Sequence, residues 1–196
     1  VAVGAHPSFP DRAGFGRRNM TLSPTEAEDL VLYQIAAVAG VASAEGVRLA
    51  HVKPHGAMYN MAVYDRDLAE AIVLATHAFD PRLCVYAPPA SALAAAAKAM
   101  GLQVVLEGFA DRAYQGDGSL VPRSQPHAVI ANVEDVVTRA MQIAVDRSVP
   151  AIDGTSIRLD VDTLCIHGDT AGAPSLAAWV RAGLQSAGVD VRAPKG

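Results

Sequence analysis

The chain has 196 residues, 51% of them hydrophobic and 18% charged, with a net charge of −4 at neutral pH. That is ordinary globular composition, with enough chain for one well-buried core and one domain. With no run of Lys or Arg, nucleic acid and anionic membrane are excluded as partners, and no apolar run is expected to reach the ~20 residues of a membrane span.

In chain order, Val1–Ala5 reads as a core strand that ends at His6-Pro7. The chain has no initiating Met and no basic-then-apolar signal segment, so residues are expected upstream of this strand. A Gly/Arg-rich loop follows, Asp11 to Asn19. Ser23-Pro24-Thr25-Glu26 has the form of a helix start: Ser caps, Pro occupies the first position, and Glu reaches back. Leu32, Ile35, Val38 and Ala42 then mark the apolar face of a helix reaching Ala44. Strand Val47–Val52 runs into Lys53-Pro54-His55-Gly56, a tight turn that opens a short helix. Asp65–Phe79 is a second helix, with Leu68, Ile72 and Ala75 on one face.

Leu83–Tyr86 is the next strand, and Ala90–Met100 an Ala-rich helix stopped by Gly101. Strand Leu102–Leu106 ends at Glu107, and a long polar loop from Gly108 to Pro126 reads as a candidate lid. Asn132–Asp146 is a helix with Val133, Val136, Val137, Ala140 and Ile143 inward. Thr155–Asp160 is a short strand or a turn. Leu164–Ile166 is a strand ending at His167-Gly168-Asp169, Pro174–Ser186 is the last helix, and Val189–Val191 is read as a final strand. Cys84 and Cys165 each lie in an apolar run, spaced neither as a zinc site nor as a redox pair; both read as buried thiols of a reducing cytoplasm.

Strands alternating with helices indicate a parallel α/β fold. An open dinucleotide-binding sheet is disfavoured, because Gly14-Phe15-Gly16 lies too far from the first strand and lacks the third glycine. There is no G-x-x-x-x-G-K-[ST] segment for ATP, and no G-x-S-x-G elbow for a Ser nucleophile. Polar residues at successive strand ends suit a barrel mouth. A complete (β/α) barrel has ~250 residues, so 196 is short by one or two units.

The strand ends offer His6 and Asp11, then Lys53 and His55, then Glu107, Asp111 and Arg112, then His167 and Asp169. Acids, imidazoles and cations in one cleft suit general acid–base work, and also a divalent metal held by His and carboxylate. His51 reads equally as a core histidine or a site residue. Arg17 and Arg18 are candidates for a substrate carboxylate, or else surface ion-pair partners. Tyr114 is a candidate to cover a small substrate.

The motifs then carry a resemblance. Gly4-Ala5-His6-Pro7 with Gly14-Phe15-Gly16-Arg17-Arg18, Val52-Lys53-Pro54-His55-Gly56-Ala57, Glu107-Gly108-Phe109-Ala110-Asp111-Arg112, Leu120-Val121-Pro122-Arg123 and His167-Gly168-Asp169-Thr170 resemble the LamB/YcsF family along essentially the whole chain. The resemblance implies a distorted (β/α) barrel similar to those of glycoside hydrolases and polysaccharide deacetylases. It implies ATP-driven opening of 5-oxo-L-proline to L-glutamate, with B and C partner subunits that resemble the halves of an allophanate hydrolase. The family's opening acidic strand and its C-G-x-H-A-G-D segment are not in this sequence, so a missing N-terminal unit is expected.

On that reading Glu107 or Asp111 is the base, with His55 and Lys53 in the catalytic set. Arg17, Arg18, Arg112 and Tyr114 take the substrate, and His6, His167 and Asp169 form a metal site if there is one. ATP enters through the complex, and assembly with further copies of the chain is expected. The alternatives are a stand-alone metal-dependent C–N hydrolase and a non-catalytic substrate-binding subunit.

Overall fold

The computed structural model describes residues 1–169 and 172–193. They form two compact units, Val1–Leu106 with Ala193, and Glu107–Arg192.

In the first unit, β1 (Val3–Ala5), β2 (Leu49–Val52), β3 (Cys84–Ala87) and the first half of β4 (Val104–Phe109) pair in succession, all parallel. The returns are made by α1 (Pro24–Ala44), by α2 (Gly56–Met61) with α3 (Arg66–Phe79), and by α4 (Ala92–Ala99). Such connections are what parallel pairing requires. The expected parallel α/β class is therefore found, and the strands follow one another without the order reversal of a dinucleotide-binding sheet. Alternation decides the faces: Ala5, Val52 and Val85 are buried against the helices, while His51 and Tyr86 point the other way.

The helices begin where the sequence says they should. In α1 the Ser23 hydroxyl accepts from the Glu26 N–H at 3.3 Å, and the Glu26 carboxylate accepts from the Ser23 N–H at 2.9 Å, with Pro24 at the first position. Such a cap stabilises by about 1 kcal/mol. Asp65, Ser91 and Asn132 cap α3, α4 and α5 (Val133–Met141) in the same manner.

One expectation about α1 is corrected. By length and composition this 21-residue helix is apolar enough to cross a membrane. Its first turns carry Glu26, Glu28 and Asp29, and Ala27, Val31 and Ile35 are buried in the core of the unit.

In the second unit the last half of β4 pairs in parallel with β7 (Thr163–Cys165). α5 continues as a π-helical turn over 142–146, and α6 (Ala173–Ser186) closes the unit. Val136, Ala140, Leu176, Val180 and Leu184 form its core. β5 (Ser148–Pro150) and β6 (Ser156–Arg158) make an antiparallel ribbon, of which only β6 is anticipated. The final strand expected at Val189–Val191 is absent; Val189 and Val191 instead pack against the α5–α6 core.

The segment after β4 is also corrected. β4 runs to Phe109, so Glu107 lies inside the strand, opposite Thr163, and is 3% exposed. The segment that follows is folded, with bridges Arg112 to Val129 and Tyr114 to Leu120. The buried Arg112 guanidinium donates to the carbonyls of Ala128 (3.1 Å) and Val121 (2.6 Å). The Tyr114 hydroxyl accepts from the Phe109 N–H at 2.8 Å, and burial pushes its pKa up. Arg112 and Tyr114 thus hold this loop in place.

The loop after β1 is organised by one carboxylate. Asp11, 5% exposed, accepts from the Gly14 N–H at 2.9 Å and from the Arg18 guanidinium. The Arg18 side chain, first of all, holds the Asp11 carboxyl down to a pKa of about 2. An unfolded Asp titrates near 3.9. The contribution of Asp11 to stability is therefore complete above about pH 4 and is lost as the pH falls toward 2. The thermal midpoint of Asp11→Asn should accordingly fall less than that of the native protein between about pH 6 and pH 2. An equal fall in a thermal-denaturation series would contradict the arrangement.

Candidate functional site

In the first unit, the ends of β1 and β2 bring His6 and His55 together. Lys53 N–H donates to the Ala5 carbonyl (3.0 Å) and His55 N–H to the Pro7 carbonyl (2.8 Å), so the two strand exits are stitched side by side. The turn demands glycine twice. Gly16 (φ +67°) and Gly56 (φ +57°) lie in the left-handed region. A Cβ on Gly56 would come within 2.5 Å of the Gly16 carbonyl oxygen, and one on Gly16 would strike the Ser8 hydroxyl. Only glycine at both places lets the Asp11–Arg17 loop close on His55.

The protons of the His pair can be counted. His6 Nδ1 lies 2.5 Å from the Lys53 carbonyl oxygen, and His55 Nε2 lies 2.8 Å from the Phe15 carbonyl oxygen. A carbonyl only accepts, so both nitrogens carry hydrogen. The inner nitrogens, His6 Nε2 and His55 Nδ1, face each other at 3.0 Å. Two neutral rings held this way would present two lone pairs to each other. A hydrogen bond between them needs a hydrogen on one of the two inner nitrogens. Nearby, the Lys53 ammonium sits 5.9 Å from the Tyr59 ring centre, and the Arg17 guanidinium 5.0 Å from that of Phe15.

Of the two readings of Arg18, the structure shows the ion pair: its guanidinium donates to the Asp11 carboxylate. His51 stacks on Tyr86 with ring centres 4.3 Å apart, and Gly4 leaves the space its ring fills. Burial, then the Lys53 charge, push the His51 pKa down.

In the second unit the centre is Asp111 with His167. The carboxylate is 5% exposed and its Oδ2 accepts from His167 Nδ1 at 2.7 Å. The Phe109 ring stacks on the imidazole, with centres 6.0 Å apart. With Nδ1–H held by Asp111, Nε2 is the nitrogen left to take a proton. The other carboxylate oxygen, Oδ1, is buried and has no hydrogen-bond partner among the described residues. Asp111 is among the residues that line a cavity of about 250 Å³ between the segment before α5 and the first turns of α6.

Sequence reading passed over the α6 side of this cavity, Ser175, Leu176 and Trp179. Ser175 and Trp179 stand four residues apart, and so on one helix face. The available signal was a Trp on a face not needed for the core.

Glu107 is buried in β4, and Asp169 is exposed. Among the described residues no three His, Cys, Asp or Glu side chains gather within reach of one metal ion; His6 belongs to the first unit, His167 and Asp169 to the second.

The LamB/YcsF family profile matches residues 1–196. A protein from Heliobacterium modesticaldum, named as the A subunit of 5-oxoprolinase, is 51% identical over 193 residues, which are 98% of this chain and 76% of that protein. One of the same name from Geobacillus kaustophilus is 48% identical over 195 residues, covering 100% of this chain and 76% of that protein. The crystal structure of a lactam utilization protein from Thermus thermophilus superposes with a TM-score of 0.90 at 49% identity, over 99% of this chain and 77% of that one.

Two measurements check the site of the first unit. Nitrogen-15 NMR should find hydrogen on His6 Nδ1 and His55 Nε2, the nitrogens that face carbonyl oxygens; absence of hydrogen from either would break the arrangement. Gly56→Ala should lower stability by about 1–3 kcal/mol in chemical denaturation, since it adds both strain and a backbone clash.

Proposed function

This chain belongs to the LamB/YcsF family, and on that footing we propose that it serves as the A subunit of an ATP-dependent 5-oxoprolinase. In this reading it opens 5-oxo-L-proline to L-glutamate together with B and C partner subunits. The observation that carries the reading is 51% identity, over 98% of the chain, to a protein named as the A subunit of 5-oxoprolinase.

A lactam amide is a poor electrophile. Transfer of the terminal phosphoryl group of ATP to the lactam oxygen releases ADP and makes the ring carbon reactive. Water then adds to that carbon and the ring C–N bond breaks, with the nitrogen taking a proton. A second water hydrolyses the resulting acyl phosphate to glutamate and phosphate. The chain has no phosphate-binding loop of the G-x-x-x-x-G-K-[ST] kind, so handling of the nucleotide is assigned to the assembled complex.

The second unit supplies the proton chemistry. His167, held through Nδ1 by Asp111, takes a proton from the attacking water at Nε2 and returns it to the leaving nitrogen. Between the two carboxylates first considered, Asp111 orients the base and Glu107 stays within its strand.

The test is ATP-dependent glutamate release from 5-oxo-L-proline with the partner subunits present. His167→Gln should lower it by about 10²–10⁴-fold with an unchanged thermal midpoint. Retention of the native rate by His167→Gln would remove the imidazole from the mechanism.

A further inference from the structure

We propose that His6 and His55 form a binding site for a divalent late transition-metal ion, held between His6 Nε2 and His55 Nδ1. Both residues belong to the first unit, and the site does not rest on the function proposed above.

Each ring is already oriented as a metal ligand is. The outer nitrogens, His6 Nδ1 and His55 Nε2, donate to the carbonyls of Lys53 and Phe15. A ligating imidazole characteristically gives its second N–H to a carbonyl or carboxylate, which fixes both the tautomer and the ring plane. That leaves lone pairs on the two inner nitrogens, 3.0 Å apart. Lone pairs so placed repel each other unless something positive stands between them, and a proton or a metal ion meets that need.

Geometry favours the ion. A proton is shared best along a nearly straight N–H···N line. Rings meeting head-on at this separation would hold their centres farther apart than the 4.8 Å observed, and the two ring planes cross at 82°. The lone-pair axes are therefore inclined to the line joining the nitrogens, as those of two ligands sharing one ion are. At the ~2.1 Å of a metal–imidazole bond, nitrogens 3.0 Å apart subtend about 90° at the ion. That is the angle between neighbouring positions of a square-planar or octahedral shell, and it is narrower than a tetrahedral one. Nickel(II) and copper(II) take such shells with nitrogen ligands, whereas magnesium takes oxygen.

The surroundings hold the rings without hiding them. Phe15 sits at φ +56°, in the left-handed region, a strained conformation for an aromatic residue. Its carbonyl accepts from His55 Nε2, and its ring packs edge-on against the imidazole with centres 5.3 Å apart. His6 is exposed, so an ion reaches the pair from solvent. Among the described residues no third His, Cys, Asp or Glu joins the two rings. Water, or an oxygen of a bound small molecule, completes the shell.

The full, untagged protein is stripped of metal with a chelator and titrated by calorimetry with Ni²⁺ and with Mg²⁺. Ni²⁺ should bind saturably, and Mg²⁺ should not. His6→Gln and His55→Gln should each weaken Ni²⁺ by at least about tenfold. His77→Gln, at an exposed position of α3, should leave the affinity unchanged. A second measurement needs no substitution: with Co²⁺ bound to the native protein, the carbon-bound ring protons of His6 and His55 should show paramagnetic shifts in NMR.

Absence of Ni²⁺ binding by the native protein would overturn the site. So would native Ni²⁺ affinity in both His6→Gln and His55→Gln, or Mg²⁺ binding as tight as that of Ni²⁺. Unshifted His6 and His55 ring protons in the Co²⁺-loaded protein would overturn it independently of any variant.

Discussion

Two neighbouring strands run parallel only when the chain returns to the starting edge between them, and in the first unit helices make that return every time. All strand exits of a unit then open on one edge of its sheet. There β1 and β2 deliver His6 and His55, and in the second unit β4 and β7 deliver Asp111 and His167. Neither pair is close in sequence. Each is made by two exits that the sheet sets side by side.

The loops that leave these exits are shaped by buried polar groups more than by apolar packing. Asp11 gathers the first loop by accepting from Gly14 and Arg18, and Arg112 gathers the loop after β4 by donating to two carbonyls. A charged group is removed from water at low cost only when its partners are fixed. This gives the loops definite conformations, and it is why buried Arg112 is held by carbonyls and buried Asp11 by Arg18. The same rule makes Asp111 stand out: it has the burial of a structural group, yet among the described residues its Oδ1 has no partner.

Much of the fold could be read from the chain. The Ser23-Pro24-Thr25-Glu26 cap placed the start of α1 to the residue, and the caps at Asp65 and Asn132 served equally well. Hydrophobic runs located every strand of the parallel sheets to within a few residues, because such strands are apolar along their length. β4 was cut short at Glu107, since a charged residue reads as an ending; here it is buried opposite Thr163. β5 was missed, being only Ser148–Pro150 and paired locally with β6. Val189 and Val191 looked like a strand because apolar alternation alone cannot tell a strand from a tail packed on helices.

What the sequence by itself determined is the parallel α/β class, the helix starts, the glycine-dependent turn at His55, and the residue types from which a site is built. These depend on local chemistry: side-chain caps, periodicity, and a backbone conformation open only to glycine. Tertiary structure alone decided the pairings. That His6 meets His55, that Asp111 holds His167, and that Trp179 lines a cavity with Asp111 all depend on contacts between distant parts of the chain. Arg18 and Arg112 read as candidates to bind substrate, yet their guanidinium groups are held by a carboxylate and by loop carbonyls. The sequence names the charge of a side chain, and only the fold determines which partner reaches it first.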